Sequence, residues 1–119
     1  MRKVMVISKE NKDFIDRLVD YYIGESESYR QIAENFVPEV ESVPDTAFGI
    51  ITGCVYSGFL QAYQNQQQAP SLEDIREFNQ IIKNRASLIK KAILDPASIQ
   101  NDKKELDDKP NQDLTEKKS

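Results

Sequence analysis

The sequence predicts an all-α protein, a bundle of three or four antiparallel helices with a small-residue-rich helix at its centre. Apolar residues recur at intervals of three and four along most of the chain, which is the spacing of one helix face. Between Thr46 and Leu72 there is no charged residue, although charged residues make up 30% of the chain, and this stretch holds three of the four glycines. We therefore expect it to form the centre of the bundle.

The first periodic segment starts near Asn11 and predicts an amphipathic helix. Its apolar stripe consists of Phe14, Ile15, Leu18, Val19 and Tyr22. After Gly24 the stripe continues in register through Tyr29, Ile32, Ala33 and Phe36, and Ser28 with Gln31 resembles a capping box. One long kinked helix and two short helices both fit this pattern. The preceding segment, Met1 to Ile7, fits either a first helical turn or a strand without an identified partner.

The central helix follows a connector bracketed by Pro38 and Pro44, because proline disfavours helical geometry in the residue before it. Ser42 or Asp45 can cap this helix, which we expect to end at about Gln68. Apolar or small residues occupy almost every angle around it. A strand over Ile50 to Tyr56 is the competing interpretation, since this stretch is rich in β-branched residues.

The last helix has the clearest boundaries. Ser71 and Asp74 form a capping pattern at its start, and Pro96 requires it to stop at Asp95. Acidic residues lie near its beginning and basic residues near its end, which matches the helix dipole. We assign 1–96 to the helical bundle domain. The polar remainder, 97–119, is predicted to be a disordered tail, because it cannot bury enough apolar surface to offset its chain entropy.

The charge distribution argues against nucleic acid and anionic membranes as partners. The net charge is −4 and the pI is about 4.9, whereas both of those partners require a basic face. Residues 10–45 carry ten acidic side chains against three basic ones, and residues 83–91 carry four basic side chains and no acidic one. These surfaces are expected to keep the domain soluble and to pair with each other; the alternative is an acidic face on the first helix that docks a basic protein.

Cys54 is the only cysteine, so an intramolecular disulfide is ruled out and a reducing compartment is the natural interpretation. Met1 to Ile7 is followed at once by polar and charged residues, which does not fit a secretory signal. These two observations predict a cytoplasmic protein.

The composition leaves few routes to catalysis. Without histidine there is no usual general base at neutral pH, and a single cysteine cannot form a thiolate metal cage. Carboxylates alone could hold Mg²⁺, and the candidates for a helical-bundle phosphohydrolase are Asp13, Asp16, Asp20, Glu73 and Glu77. Their spacing is equally that of a solvated helix face, which we favour. We therefore predict no catalytic residue, no metal site and no cofactor.

Small residues form two rows on the central helix, one through Gly49, Gly53 and Ser57 and one that includes Gly58. Such rows pair helices in membranes, so a small membrane-associated subunit is an alternative. The apolar part is only about 17 residues long, at the short limit for a membrane span.

Each glycine within a helix costs about 1 kcal/mol relative to alanine, and close packing of a neighbouring backbone would offset that cost. Covering this helix takes about four neighbours, and the chain supplies three. We therefore predict that a second copy packs on Gly49, Gly53, Ser57 and Gly58. The function expected is a non-enzymatic interaction or regulatory module, either a homodimer or a small subunit of a complex.

Overall fold

The computed structural model describes residues 6–95, which form four helices and contain no strand. The helices are α1 (Lys9–Gly24), α2 (Ser26–Glu34), α3 (Val43–Asn65) and α4 (Leu72–Leu94). The all-α prediction is confirmed, and Ile50 to Tyr56 is helical. The predicted tail and the first five residues lie outside the described part of the chain.

Helix α3 packs against each of the other three helices more extensively than those three pack against one another, so it is the central one, as predicted. Its direction follows from pairs of contacts. Asn11 near the start of α1 exchanges side-chain hydrogen bonds of 2.9 and 3.3 Å with Gln66, which directly follows α3. At the other end of α3, Asp45 accepts a hydrogen bond from Lys90 near the end of α4. Thus α3 runs antiparallel to both α1 and α4.

The core is built on a single stripe of α3. Its members recur every four residues and are all buried: Ala47, Ile51, Val55, Phe59 and Tyr63. The ring of Phe59 stacks on that of Phe78 from α4, with 4.6 Å between their centroids. Full burial of such side chains contributes about 1.5–3 kcal/mol each. The apolar residues on other sides of α3 are half-buried or exposed, so the core does not surround this helix.

Serine side chains fix the starts of two predicted helices. Ser42 accepts a hydrogen bond of 3.1 Å from the Asp45 N–H, and Ser71 and Asp74 form the predicted capping box with two bonds of 3.0 Å. These bonds satisfy amide donors that have no partner within the helix. The predicted stop of α4 at Asp95 is also confirmed, since Asp95 is its C-cap.

Helix α3 ends three residues earlier than the predicted Gln68. Gln67 adopts a positive φ of 59°, and the Gln68 N–H then donates to the Tyr63 carbonyl over 2.9 Å. A left-handed residue followed by such a bond is a common way to end a helix.

Two separate helices, α1 and α2, take the place of one long kinked helix. Glu25 joins them with non-helical φ and ψ of −106° and 18°. The predicted capping box at Ser28 is wrong, because α2 already begins at Ser26 and Ser28 lies exposed within it. Ser26 is instead buried, and its hydroxyl donates to the Ala92 carbonyl of α4 over 3.1 Å.

Helix α2 buries only part of its apolar stripe. Ala33 is fully buried and Tyr29 is half-buried, whereas Ile32 and Phe36 are 42% and 52% exposed. The continuation of the first stripe into α2 is therefore wrong for these two large side chains. The reason is that the small residues Ser26 and Ala33 face inward, and Ile32, the residue before Ala33, points about 100° away from it around the helix.

The segment before α1 is neither helix nor strand where the structure describes it. Ile7 is 1% exposed, and the N–H groups of Val6 and Ile7 both donate to Glu77 Oε1 over 2.8 Å. The N–H groups of this segment are thus satisfied by a carboxylate of α4 and not by a partner strand or a helical turn, the two possibilities that the sequence left open.

Candidate functional site

One side of the central helix is open to solvent. We call the exposed row formed by Gly49, Gly53, Ser57 and Leu60 the outer face of α3. Apart from the adjoining backbone of α3 itself, a Cβ atom built on Gly49 or Gly53 would meet no atom of residues 6–95 within 4 Å. These two glycines therefore serve no close packing among the described residues. The outer face therefore presents exposed helix backbone to a binding partner.

Gly58 has a different role from the other predicted interface residues. It is half-buried, and a Cβ at this position would overlap Leu18 Cδ1 of α1. Gly58 thus permits a close approach within the chain. The structure brings Gly49, Gly53 and Ser57 together in one exposed row, because residues four apart share a helix face, and it sets Gly58 on another side.

The outer face carries no charge. Leu60 is 37% exposed, and the neighbouring exposed side chains, Gln61 and Gln64, are neutral amides. Gln61 donates to Asn65 Oδ1 over 3.0 Å, so part of this polarity is satisfied along the helix itself. A surface without charge is the type whose desolvation costs least when another protein covers it.

The acidic and basic surfaces pair with each other, as the charge distribution predicts. Arg85 of α4 contacts the carboxylates of Asp16 and Asp20 on α1, and Lys90 contacts Asp45 at the start of α3. The hydrogen bond from Lys90 lowers the pKa of Asp45 below its usual value. These ion pairs tie α4 to both α1 and α3.

The first helix is not a bare acidic surface. Lys9 contacts Asp13 at 3.0 Å, and Lys12 contacts Asp16 at 2.9 Å. The hydrogen bond from Lys9 lowers the pKa of Asp13. Since Asp13, Asp16 and Asp20 each face a cation of the same chain, little of their charge is left for a basic partner.

The carboxylates proposed for Mg²⁺ have separate partners as well. Glu73 lies 3.8 Å from Arg76 on its own helix, and Glu77 receives the two N–H groups that precede α1. Within residues 6–95 there is no group of three or more acidic, histidine or cysteine side chains that could hold a metal ion.

A buried polar cluster, which the sequence did not reveal, joins the ends of three helices. It comprises Asn11, Tyr63 and Asp74, all less than a tenth exposed. Burial, and next the nearby Asp74 carboxylate, raise the pKa of Tyr63 to about 12. Asp74 Oδ1 is buried without a hydrogen-bond partner among the described residues, while Oδ2 caps α4. The cluster therefore disfavours the charged form of this tyrosine.

Cys54 is half-buried. It lies near Tyr22 and Tyr29, whose pKa values are raised first by burial and next by this thiol.

Within the described part of the chain, no helix is both long and apolar enough to span a membrane. Comparison of the chain with protein-family models, curated proteins and solved structures gave no match. The interpretation of the outer face therefore depends on its own geometry.

Proposed function

We propose that the protein is a non-enzymatic interaction or regulatory module of the cytoplasm, acting as a homodimer or as a small subunit of a larger complex. Its contact surface is the outer face of α3. The observation that supports this proposal is the exposed position of Gly49 and Gly53 on the central helix. Among the described residues, no neighbouring element comes within 4 Å of the place where a Cβ would stand at either glycine.

The free-energy cost of the glycines favours a second helix on this face. Each of the two costs about 1 kcal/mol relative to alanine within a helix, and neither is compensated by packing among the described residues. A second backbone packed on the row would gain close van der Waals contact over its whole length. Interface centres are also depleted in charged residues, as this face is.

A second copy of the chain is the simplest occupant, because two-fold pairing is the commonest form of assembly and uses the same patch twice. The neutral outer face places no like charges opposite each other in such a pair. The ion pairs of Asp16 and Asp20 with Arg85 join α1 to α4 and involve no residue of the outer face. Asp45, one turn before Gly49, has its charge paired with Lys90.

The experiment is light scattering on a sizing column with wild type and Gly53→Leu. Wild type should elute at twice the chain mass, and the variant at one chain mass. The substitution suits this test, because, apart from the adjoining backbone of α3, a Cβ at position 53 meets no atom within 4 Å among the described residues and leucine improves helix propensity. Lys83→Leu, on the exposed surface of α4, is the matched control and should leave the mass unchanged. A wild-type monomer at micromolar concentration would refute the homodimer.

A further inference from the structure

We infer that a second surface, formed by Ile32, Phe36 and Val37, binds a basic amphipathic helix of a partner protein. We call this surface the α2 patch. The inference goes beyond self-association through α3, because it involves another helix and another kind of partner.

The α2 patch is a contiguous group of large apolar side chains in solvent. Ile32, Phe36 and Val37 are 42%, 52% and 53% exposed. Helical turns continue past the end of α2, since the Phe36 N–H donates to the Ala33 carbonyl over 3.0 Å. Ile32 and Phe36 are thus about one turn apart along this helical stretch, and both are exposed. Contiguous exposed apolar residues typically mark interaction sites.

The charge around the α2 patch is strongly acidic. Residues 25–41 contain five carboxylates and a single basic side chain, Arg30, which pairs with Glu34 at 2.7 Å. Glu25, Glu27, Glu39 and Glu41 make no ion pair with any residue in the described range. Unlike the aspartates of α1, these carboxylates keep their charge available.

The combination of exposed apolar side chains with surrounding carboxylates determines which kind of partner fits the α2 patch. A second copy docked on the same patch would set carboxylates against carboxylates, and an anionic membrane would be repelled in the same way. An amphipathic helix with lysine or arginine beside its apolar stripe satisfies both features: its apolar residues cover Ile32 and Phe36, and its cations meet Glu39 and Glu41. Opposite charges at the rim also steer the encounter.

The test uses two labelled model peptides of about 18 residues, five helical turns, with the same leucine pattern. One carries lysine and the other glutamate at the polar positions. Fluorescence anisotropy with the full chain should show that the lysine peptide binds. The glutamate peptide should bind with an affinity at least about ten-fold lower. The double substitution of the two apolar anchors, Ile32→Ser with Phe36→Ser, should lower the affinity for the lysine peptide about ten-fold.

A second variant tests the rim. Glu39→Gln with Glu41→Gln should lower the affinity several-fold and reduce its dependence on salt. The matched control is Leu72→Ser with Glu73→Gln, which removes an apolar side chain that is 64% exposed and one carboxylate at the start of α4. The control should bind as wild type does. Thermal melts of all variants verify that they are folded.

Three results would overturn the inference. The first is an equal loss of affinity in the α2-patch variant and in the control, which would indicate non-specific attraction to an acidic protein. The second is a drop to monomer mass in the α2-patch variant, which would mean that a second copy covers it. The third is binding to phosphatidylglycerol vesicles that the same variant abolishes. Gly53→Leu should retain full peptide affinity, so failure of the α3 proposal is distinguishable from failure of this one.

Discussion

Leu18 of α1 lies directly on the backbone of Gly58 in α3, so close that a Cβ at position 58 would overlap its terminal methyl group. This contact lets the two antiparallel helices approach closely at the middle of the bundle. The three glycines of the uncharged segment thus divide by position. One permits packing within the chain, and two lie open on the outer face.

The first prediction follows from this division. Gly58→Leu should lower the free energy of unfolding by about 1–3 kcal/mol, because the added side chain has to displace Leu18. Urea unfolding measures the change. Gly53→Leu, compared at the same concentration below any dimerisation, should cause no loss. Equal destabilisation by the two variants would contradict the contact.

A double variant sharpens the assignment. Leu18→Ala with Gly58→Leu should be less destabilised than the sum of the two single changes, because the cavity left at position 18 accommodates the new side chain. Strict additivity would mean that positions 18 and 58 do not interact.

The second prediction concerns Arg85, which bridges Asp16 and Asp20. Arg85→Gln should lower stability by about 0.2–1 kcal/mol, and the effect should shrink at high salt, since the pair is partly solvent-exposed. Chemical unfolding at low and high ionic strength measures it. Lys83→Gln on the same helix is the control and should have no comparable effect. A loss that is independent of salt would point to packing of the arginine stem.

The third prediction concerns alkaline pH. Because burial and Asp74 raise the pKa of Tyr63 to about 12, the folded protein keeps this proton longer than the unfolded chain does. The unfolded value is about 10. The stabilisation is therefore complete below about pH 10 and is lost as the pH rises towards 12.

Tyr63→Phe should make the unfolding free energy fall less steeply between about pH 10 and 12. Tyr21→Phe is the control, because Tyr21 is 59% exposed, and it should follow wild type. Ultraviolet titration of the phenol provides an independent reading. The same slope in all three proteins would show that Tyr63 titrates like a solvated tyrosine.

The fourth prediction addresses the alternative of a Mg²⁺-dependent phosphohydrolase. Millimolar Mg²⁺ or Mn²⁺ should leave the melting midpoint unchanged, because the aspartates of α1 already face Lys9, Lys12 and Arg85. A midpoint that rises with metal, and that no longer does so in Asp16→Asn with Asp20→Asn, would favour the enzyme, since binding to the native state alone stabilises it.

Local features of the fold could be predicted from the sequence. The cap at Ser71 and the stop at Asp95 were predicted, and Ser42 was one of two candidates with Asp45. Each of these features involves residues within about one helical turn of each other. The failure of the capping box at Ser28 has the opposite cause. The start of α2 depends on Ser26, whose partner Ala92 lies 66 positions away.

The candidate surfaces depended both on the sequence pattern and on the tertiary packing. The absence of charge after Thr46 is written in the sequence, and helical periodicity places Gly49, Gly53 and Ser57 on one side of that segment. The competing strand over Ile50 to Tyr56 was excluded only by the structure. Which sides of the helices are open to solvent follows from how the helices pack on one another. The outer face of α3 and the exposure of Ile32 and Phe36 result from which side chains on distant segments are small enough to pack together, such as Ala33 in α2 and Gly58 beneath Leu18. That choice depends on the sizes of residues far apart in the chain, and no local pattern records it.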